Sequence, residues 1–136
     1  MKTPLLILTI TLLATASLNS SAQIFPEYSE PFHAIPKYSN INAEVIQKAF
    51  NNEPITPLQE KIVSCSFYTD KLGTFMKARQ EGLIPLTSWL NHPDTSEEEA
   101  KLISIVYTLP MGTNLQTKLY NLRTFVDSTF ADCMAK

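Results

Sequence analysis

The stretch that decides the fold is TPLQEKIVSCSFYTDKLGTFMKARQEG, residues 56–82. It opens with Thr56, Pro57 and Gln59, the pattern of a capping box with proline at the first helical position. Gly82 supplies a left-handed stop at the other end. Between these signals the apolar residues recur in steps of four and three, which predicts one long amphipathic helix. Its predicted buried seam consists of Leu58, Ile62, Cys65, Thr69, Leu72, Met76 and Arg79.

Helical patterns also occur on both sides of this stretch. They cover residues 42–51, a short turn over 85–90, a helix that ends before Pro110, and a last helix that ends near Cys133. The helix that ends before Pro110 has three alternative capping residues, Asp94, Thr95 and Ser96. It is apolar around much of its girth. Thr113 and Gln116 have the capping pattern for the last helix. The chain is therefore predicted to be an all-α bundle of about four helices with an extended N-terminal arm and one disulfide.

The two cysteines predict how the long helices are arranged. Cys65 lies about two turns into the first long helix and Cys133 lies in the last turn of the final one. A disulfide needs Cα atoms within about 7 Å, and a parallel helix pair would leave these two roughly 16 Å apart along the axis. An antiparallel pair is therefore expected. The alternative, a redox or metal-binding pair, lacks the short spacing or the further ligands that those sites use.

Residues 1–22 have the layout of a secretory signal peptide, with a basic Lys2 and an apolar run over residues 5–13. Cleavage is expected after Ala22, and Ala16 ends an alternative site. A retained membrane anchor is the other interpretation, but the apolar run is shorter than the ~20 residues that span a bilayer. The expected location is exported, periplasmic or secreted, without stable membrane insertion after cleavage.

Residues 23–55 form a second predicted unit, a proline- and aromatic-rich arm with a short helix, ahead of a disulfide-linked helical domain over 56–136. Disordered tails are usually poor in aromatic residues, so the arm is expected to pack on something. It either wraps the protein's own helices or docks on a partner. The candidate contact residues are Phe25, Tyr28, Phe32 and Tyr38.

The charge balance of the chain disfavours polyanionic partners. The chain has 11 basic and 13 acidic residues, and removal of Lys2 with the signal peptide would leave 10 against 13. Nucleic acid and anionic membranes select a basic footprint, so neither is expected as a partner.

Candidate catalytic chemistry is sparse. The histidines are His33 and His92, and the chain has three glycines, too few to favour a phosphate-binding loop. Ser88, His92 and Asp94 lie close in sequence, but a triad is defined by geometry, and capping is the more usual role of such a cluster in a turn. No catalytic residue, metal ligand or cofactor is predicted.

Arg79 falls on an otherwise apolar seam and has two interpretations. Its stem can pack along the core edge while its head reaches solvent or a carboxylate. It could instead anchor an anionic ligand or the C-terminal end of another helix.

Short motifs resemble a family of small exported bacterial proteins of unknown function. The matching residues are Cys65, then the segment 78–82 (Ala-Arg-Gln-Glu-Gly), then the segment 107–110 (Tyr-Thr-Leu-Pro), then Phe125 and Cys133. The resemblance covers about half of the chain and leaves the arm outside. It implies a helical, disulfide-linked exported protein and carries no activity.

The functional expectation is a non-enzymatic module that binds another exported or envelope protein. A periplasmic inhibitor or immunity-type protein is an alternative, and a small enzyme is a weaker one because no catalytic constellation is present.

Overall fold

A computed structural model describes residues 30–136, which form seven α-helices and no β-strand. The predicted signal peptide, Phe25 and Tyr28 lie outside the described residues. The helices are α1 (Glu30–His33), α2 (Tyr38–Ile41), α3 (Ala43–Phe50), α4 (Pro57–Glu81), α5 (Leu86–Leu90), α6 (Glu97–Thr108) and α7 (Leu115–Ala135). The predicted all-α class is confirmed, and α4 is the longest element.

Helices α4 and α7 form an antiparallel pair. Cys65 and Cys133 are joined by a disulfide with a Cα–Cα distance of 5.7 Å. Further along α4, a Cβ placed on Gly73 would lie 3.0 Å from Cγ1 of Val126. Because residue numbers rise along α4 as those of their α7 contacts fall, the two helices run in opposite directions, as the cysteine positions predicted. Gly73 permits the close approach of the two helices at this level.

Helix α6 packs on another side of α4 and runs parallel to it. Lys71 pairs with Glu99 near the start of α6, and Arg79 contacts the carbonyl oxygen of Leu109 just after its end. Only part of α6 is covered, since Ile103 and Val106 are buried whereas Ile105 is exposed. The helix is therefore apolar around much of its girth but buried on only part of it.

The capping predictions were confirmed for two long helices and wrong for one. Thr56 and Gln59 form a capping box at α4, and Ser96 forms another with Glu99 at α6. At α7 the capping residue is Asn114, whose Oδ1 accepts the Thr117 N–H at 2.9 Å. The predicted cap at Thr113 is thus displaced by one residue, because asparagine is at least as good a capping residue as threonine.

The described part of the arm is only partly extended. Helices α1 and α2 each form a single turn, and α2 has no cap of its own. Instead Asp70 of α4 accepts hydrogen bonds from the backbone N–H groups of Tyr38 at 2.7 Å and Ser39 at 3.1 Å. A carboxylate 31 or more residues away therefore supplies the acceptors that α2 lacks locally.

The buried core joins residues from the arm and from α4 to α7. From the predicted α4 seam, Leu72 and Met76 belong to this core, whereas Leu58 is 61% exposed in the first turn of α4. The core consists of Phe32, Ile35, Leu72, Phe75, Met76, Ala78, Trp89, Ile103, Val106, Leu122 and Val126.

Candidate functional site

The C-terminal turn of α4 meets the connection between α6 and α7. Gln80 is fully buried, its Nε2 donates to the carbonyl oxygen of Pro110 at 3.0 Å, and its Oε1 accepts the N–H of Gly112 at 2.9 Å. One amide side chain thus satisfies a donor and an acceptor of the connecting turn. The segments 78–82 and 107–110, which carry the sequence resemblance, come together at this point.

Arg79 lies beside Gln80 and is held by two contacts. Its Nε donates to the carbonyl oxygen of Leu109 at 3.3 Å, and its Cζ lies 5.8 Å from the centroid of the Tyr107 ring. The half-buried guanidinium therefore anchors a helix C-terminus, one of the two roles that the sequence left open. Within residues 30–136 it forms no ion pair with a carboxylate.

A pocket of about 440 Å³ lies against Arg79. Its walls are mostly apolar and comprise Gly82, Ile84, Pro85, Leu86, Tyr107 and Met111. The Tyr107 hydroxyl donates to the carbonyl oxygen of Ile84 at 2.6 Å and accepts from Trp89 Nε1 at 2.8 Å. Burial raises the pKa of Tyr107 above its usual value. We call this the Arg79 pocket.

A second cleft, of about 300 Å³, contains His92. Phe75, Trp89 and Ile103 form apolar parts of its lining, and the Lys71–Glu99 ion pair lies along it. The hydrogen bond from Lys71 and then the N–H of Ser96 lower the pKa of Glu99 to about 2. The one lysine in this lining is therefore already paired with a carboxylate.

The Ser88, His92 and Asp94 cluster does not have the geometry of a triad. His92 Nδ1 accepts the backbone N–H of Asp94 at 3.2 Å, and its distance to Asp94 Oδ2 is 3.9 Å. In a triad this nitrogen would donate a proton to the carboxylate. The histidine instead closes a turn between α5 and α6, the structural role that the sequence favoured.

Two of the four candidate contact residues in the arm lie within the part of the chain that the structure describes. Phe32 is buried in the core, and Tyr38 stacks on Phe130 with 4.2 Å between ring centroids. Burial, followed by the hydrogen bond to Asp127, raises the pKa of Tyr38 to about 12. These two side chains pack on the chain's own helices, so neither presents a free aromatic ring to a partner. Phe25 and Tyr28 lie outside the described residues.

An aromatic surface that sequence reasoning missed lies between α3 and α4. Phe50 and Phe67 are 70% and 44% exposed and form an edge-to-face pair with 6.2 Å between centroids. The sequence predicted a short helix over residues 42–51, which contains Phe50, and gave no signal for Phe67. Only the crossing of α3 over α4 brings the two rings together. We call this the Phe50–Phe67 pair.

In the part of the chain that is described, no three or more His, Cys, Asp or Glu side chains are grouped to hold a metal ion. Over the same residues, no helix combines the length and the apolar character needed to cross a membrane. Both cysteines are consumed by the disulfide, so neither is a free thiol.

Comparison with protein-family models, with curated proteins and with solved structures found no match to this chain.

Proposed function

We propose that this chain is an exported, non-enzymatic binding module that recognises another exported or envelope protein through the Phe50–Phe67 pair. The observation that carries the proposal is that two phenylalanine rings contact each other and both remain exposed, whereas the Phe75–Trp89 pair is buried. Burying apolar surface contributes about 25 cal/mol per Å², and aromatic side chains are enriched at the energetic centres of interfaces. Two rings already packed together lose little conformational entropy on binding.

The surroundings of the pair also support a docking role. Ile41 lies at the end of α2 and Leu58 lies in the first turn of α4, and both side chains are exposed. Lys71 of α4 pairs with Glu99 in the first turn of α6, and Arg79 contacts Leu109 just after the end of α6. Helix α6 therefore runs away from the part of α4 that contains Phe67.

Export is supported by two independent features. Residues 1–22 have the pattern of a signal peptide, and the disulfide is of the kind that persists in oxidising compartments. Expression of the full chain followed by cell fractionation and intact-mass analysis tests this. We expect a processed form in the exported fraction that begins after Ala22, whereas an unprocessed form retained in the cytoplasm would contradict it.

The binding proposal is tested with the double variant Phe50→Ser, Phe67→Ser. The matched control is Tyr120→Ser on α7, because Tyr120 is 69% exposed and lies near the opposite end of the α4–α7 pair. Each oxidised protein is immobilised and used to capture partners from a periplasmic extract, and any captured protein is then purified and titrated.

We expect one stoichiometric partner that binds the wild-type chain and the Tyr120 variant equally and the double variant at least tenfold more weakly. Circular dichroism and thermal unfolding show whether the double variant is folded. Equal affinity of a folded double variant would exclude this surface, and a partner lost on Tyr120→Ser would place the interface on α7.

A further inference from the structure

Among residues 30–136 the guanidinium of Arg79 has no anionic partner, although contacts with Leu109 and Tyr107 orient it. Its Nε is used by the Leu109 carbonyl, whereas no hydrogen bond from its terminal nitrogens to a described residue is present. A carboxylate can take both parallel N–H groups of an arginine, which is the strongest common pairing of this side chain. The geometry therefore leaves one donor edge of a fixed cation open.

The pocket beside this cation is apolar on its other sides. Ile84, Pro85, Leu86 and Met111 line it, and its volume of about 440 Å³ lies within the range of small-molecule sites. The hydrogen bond from Tyr107 to the Ile84 carbonyl holds one wall in place. A ligand would find an open, mostly apolar cleft with the Arg79 cation among its walls.

We propose that the Arg79 pocket binds an aliphatic monocarboxylate, with its carboxylate on the guanidinium and its chain along Ile84, Leu86 and Met111. A single cation among apolar walls matches one negative charge on an apolar body. A phosphate dianion would need more donors than this pocket holds. The proposal is independent of the Phe50–Phe67 pair and concerns the opposite end of α4.

Two other clefts that contain a basic side chain are less suited to bind a carboxylate. In the His92 cleft the cation is neutralised, since Lys71 is paired with Glu99. Arg123 lies in a groove with Leu119 and Tyr120, but its residue is exposed, and within the described part of the chain it has no contact comparable with those that orient Arg79. Arg123 is the only other arginine in the chain, so it provides a matched control for charge.

The test is titration of the oxidised wild-type chain with octanoate, followed by calorimetry and by two-dimensional NMR of backbone amides. We expect saturable binding at one site, with shift changes concentrated at Gly82, Leu86 and Tyr107. Octanol, which lacks the charge, and acetate, which lacks the chain, should each bind at least tenfold more weakly. No saturable binding of octanoate, equal binding of octanol, or shift changes located elsewhere would overturn the proposal.

Variants separate the role of the cation from that of the walls. Arg79→Gln should weaken octanoate binding at least tenfold, Arg79→Lys should weaken it less, and Arg123→Gln should leave it unchanged. Because Arg79 also supports the end of α6, loss of stability in its variants is checked by thermal unfolding. Met111→Trp obstructs the pocket from an exposed position and should weaken binding without unfolding the chain. Full octanoate affinity in folded Arg79→Gln, or its loss in Arg123→Gln alone, would contradict the assignment.

Discussion

Gln80 is a polar side chain placed where the core meets a backbone turn, and it supports that turn through both ends of its amide. Its partners, Pro110 and Gly112, belong to the connection between α6 and α7. A buried donor or acceptor that loses its partner costs about 1–3 kcal/mol. The position therefore tolerates hydrophobic replacement poorly although it is fully buried.

We expect Gln80→Leu to lower the free energy of unfolding by about 2 kcal/mol, because the Gly112 N–H loses its acceptor and the Pro110 carbonyl keeps only the longer hydrogen bond from Asn121 Nδ2 at 3.4 Å. Urea unfolding at neutral pH measures the change. Gln116→Leu is the control, since Gln116 is exposed in the first turn of α7. Equal stability of the two variants would show that water or a rearranged turn replaces the amide.

Thr69, in contrast to Gln80, is a fully buried polar residue whose hydroxyl has no hydrogen-bond partner among the described residues. We expect Thr69→Val to raise the free energy of unfolding by about 1 kcal/mol, since the replacement removes a desolvated hydroxyl and keeps the branched shape. The urea midpoint should rise with an unchanged slope, and exposed Thr124→Val should not change it. A lower midpoint for Thr69→Val would mean that the hydroxyl does have a favourable interaction.

At the level of elements, the first turn of α6 combines a local cap with a tertiary ion pair. Glu99 accepts the Ser96 N–H at 3.0 Å within the capping box and pairs with Lys71 of α4. These contacts lower its pKa from 4.5 to about 2. Because the folded pKa lies below the usual value, the associated stability is fully present above pH 4.5 and is lost as the pH falls toward 2.

We expect Glu99→Gln to reduce the dependence of stability on pH between 4.5 and 2, because glutamine keeps the capping acceptor and removes the titrating charge. At neutral pH the loss should be modest, since a partly exposed ion pair contributes about 0–1 kcal/mol. Unfolding curves across this pH range provide the measurement. Glu98→Gln, an exposed change in the same turn, should keep the wild-type profile; an identical profile for both variants would contradict the role of Lys71.

For the molecule as a whole, the disulfide closes a segment of 68 residues that contains most of α4, all of α5 and α6, and nearly all of α7. A cross-link over that length removes entropy from the unfolded chain. In the chain-entropy model the stabilisation is about 4 kcal/mol. The disulfide lies near the end of the α4–α7 pair that α6 does not reach.

We expect the double variant Cys65→Ala, Cys133→Ala to remain helical and to lose about 4 kcal/mol of unfolding free energy. Reduced wild-type protein should match it, which separates the cross-link from the side-chain replacement. Intact-mass analysis before and after reduction should show the gain of two hydrogens. Unchanged stability after complete reduction would mean that the unfolded chain is compact without the cross-link.

The fold was predictable where its signals are local. The capping box at Thr56 and the stop at Gly82 require only a few neighbouring residues, and the four-three spacing marks the helix faces. At α6 the sequence left three candidate caps, of which the structure uses Ser96. The first residue of a helix is harder to predict where two adjacent residues can both act as the cap, as Thr113 and Asn114 can at α7. Exposure at Leu58 depends on which helices reach that turn, and a periodic pattern carries no such information.

The candidate surfaces were less predictable because they are made by contacts between distant residues. Arg79 was singled out from the sequence as an arginine on an apolar seam, but its position beside Leu109 depends on the parallel packing of α6. The Phe50–Phe67 pair requires the crossing of α3 over α4. Neither arrangement follows from the periodicity of any single helix.

The sequence by itself determined the helical class, the positions of the long helices and, through Cys65 and Cys133, the antiparallel pairing of α4 and α7. These properties follow from local hydrogen bonding, from helix periodicity and from the short reach of a disulfide. The tertiary structure alone decided that Asp70 caps α2, that Gln80 supports the turn before α7, and that a pocket forms beside Arg79. Each of these depends on groups about 30 residues apart in the chain, whose distances are set only when the packed helices fix their orientation.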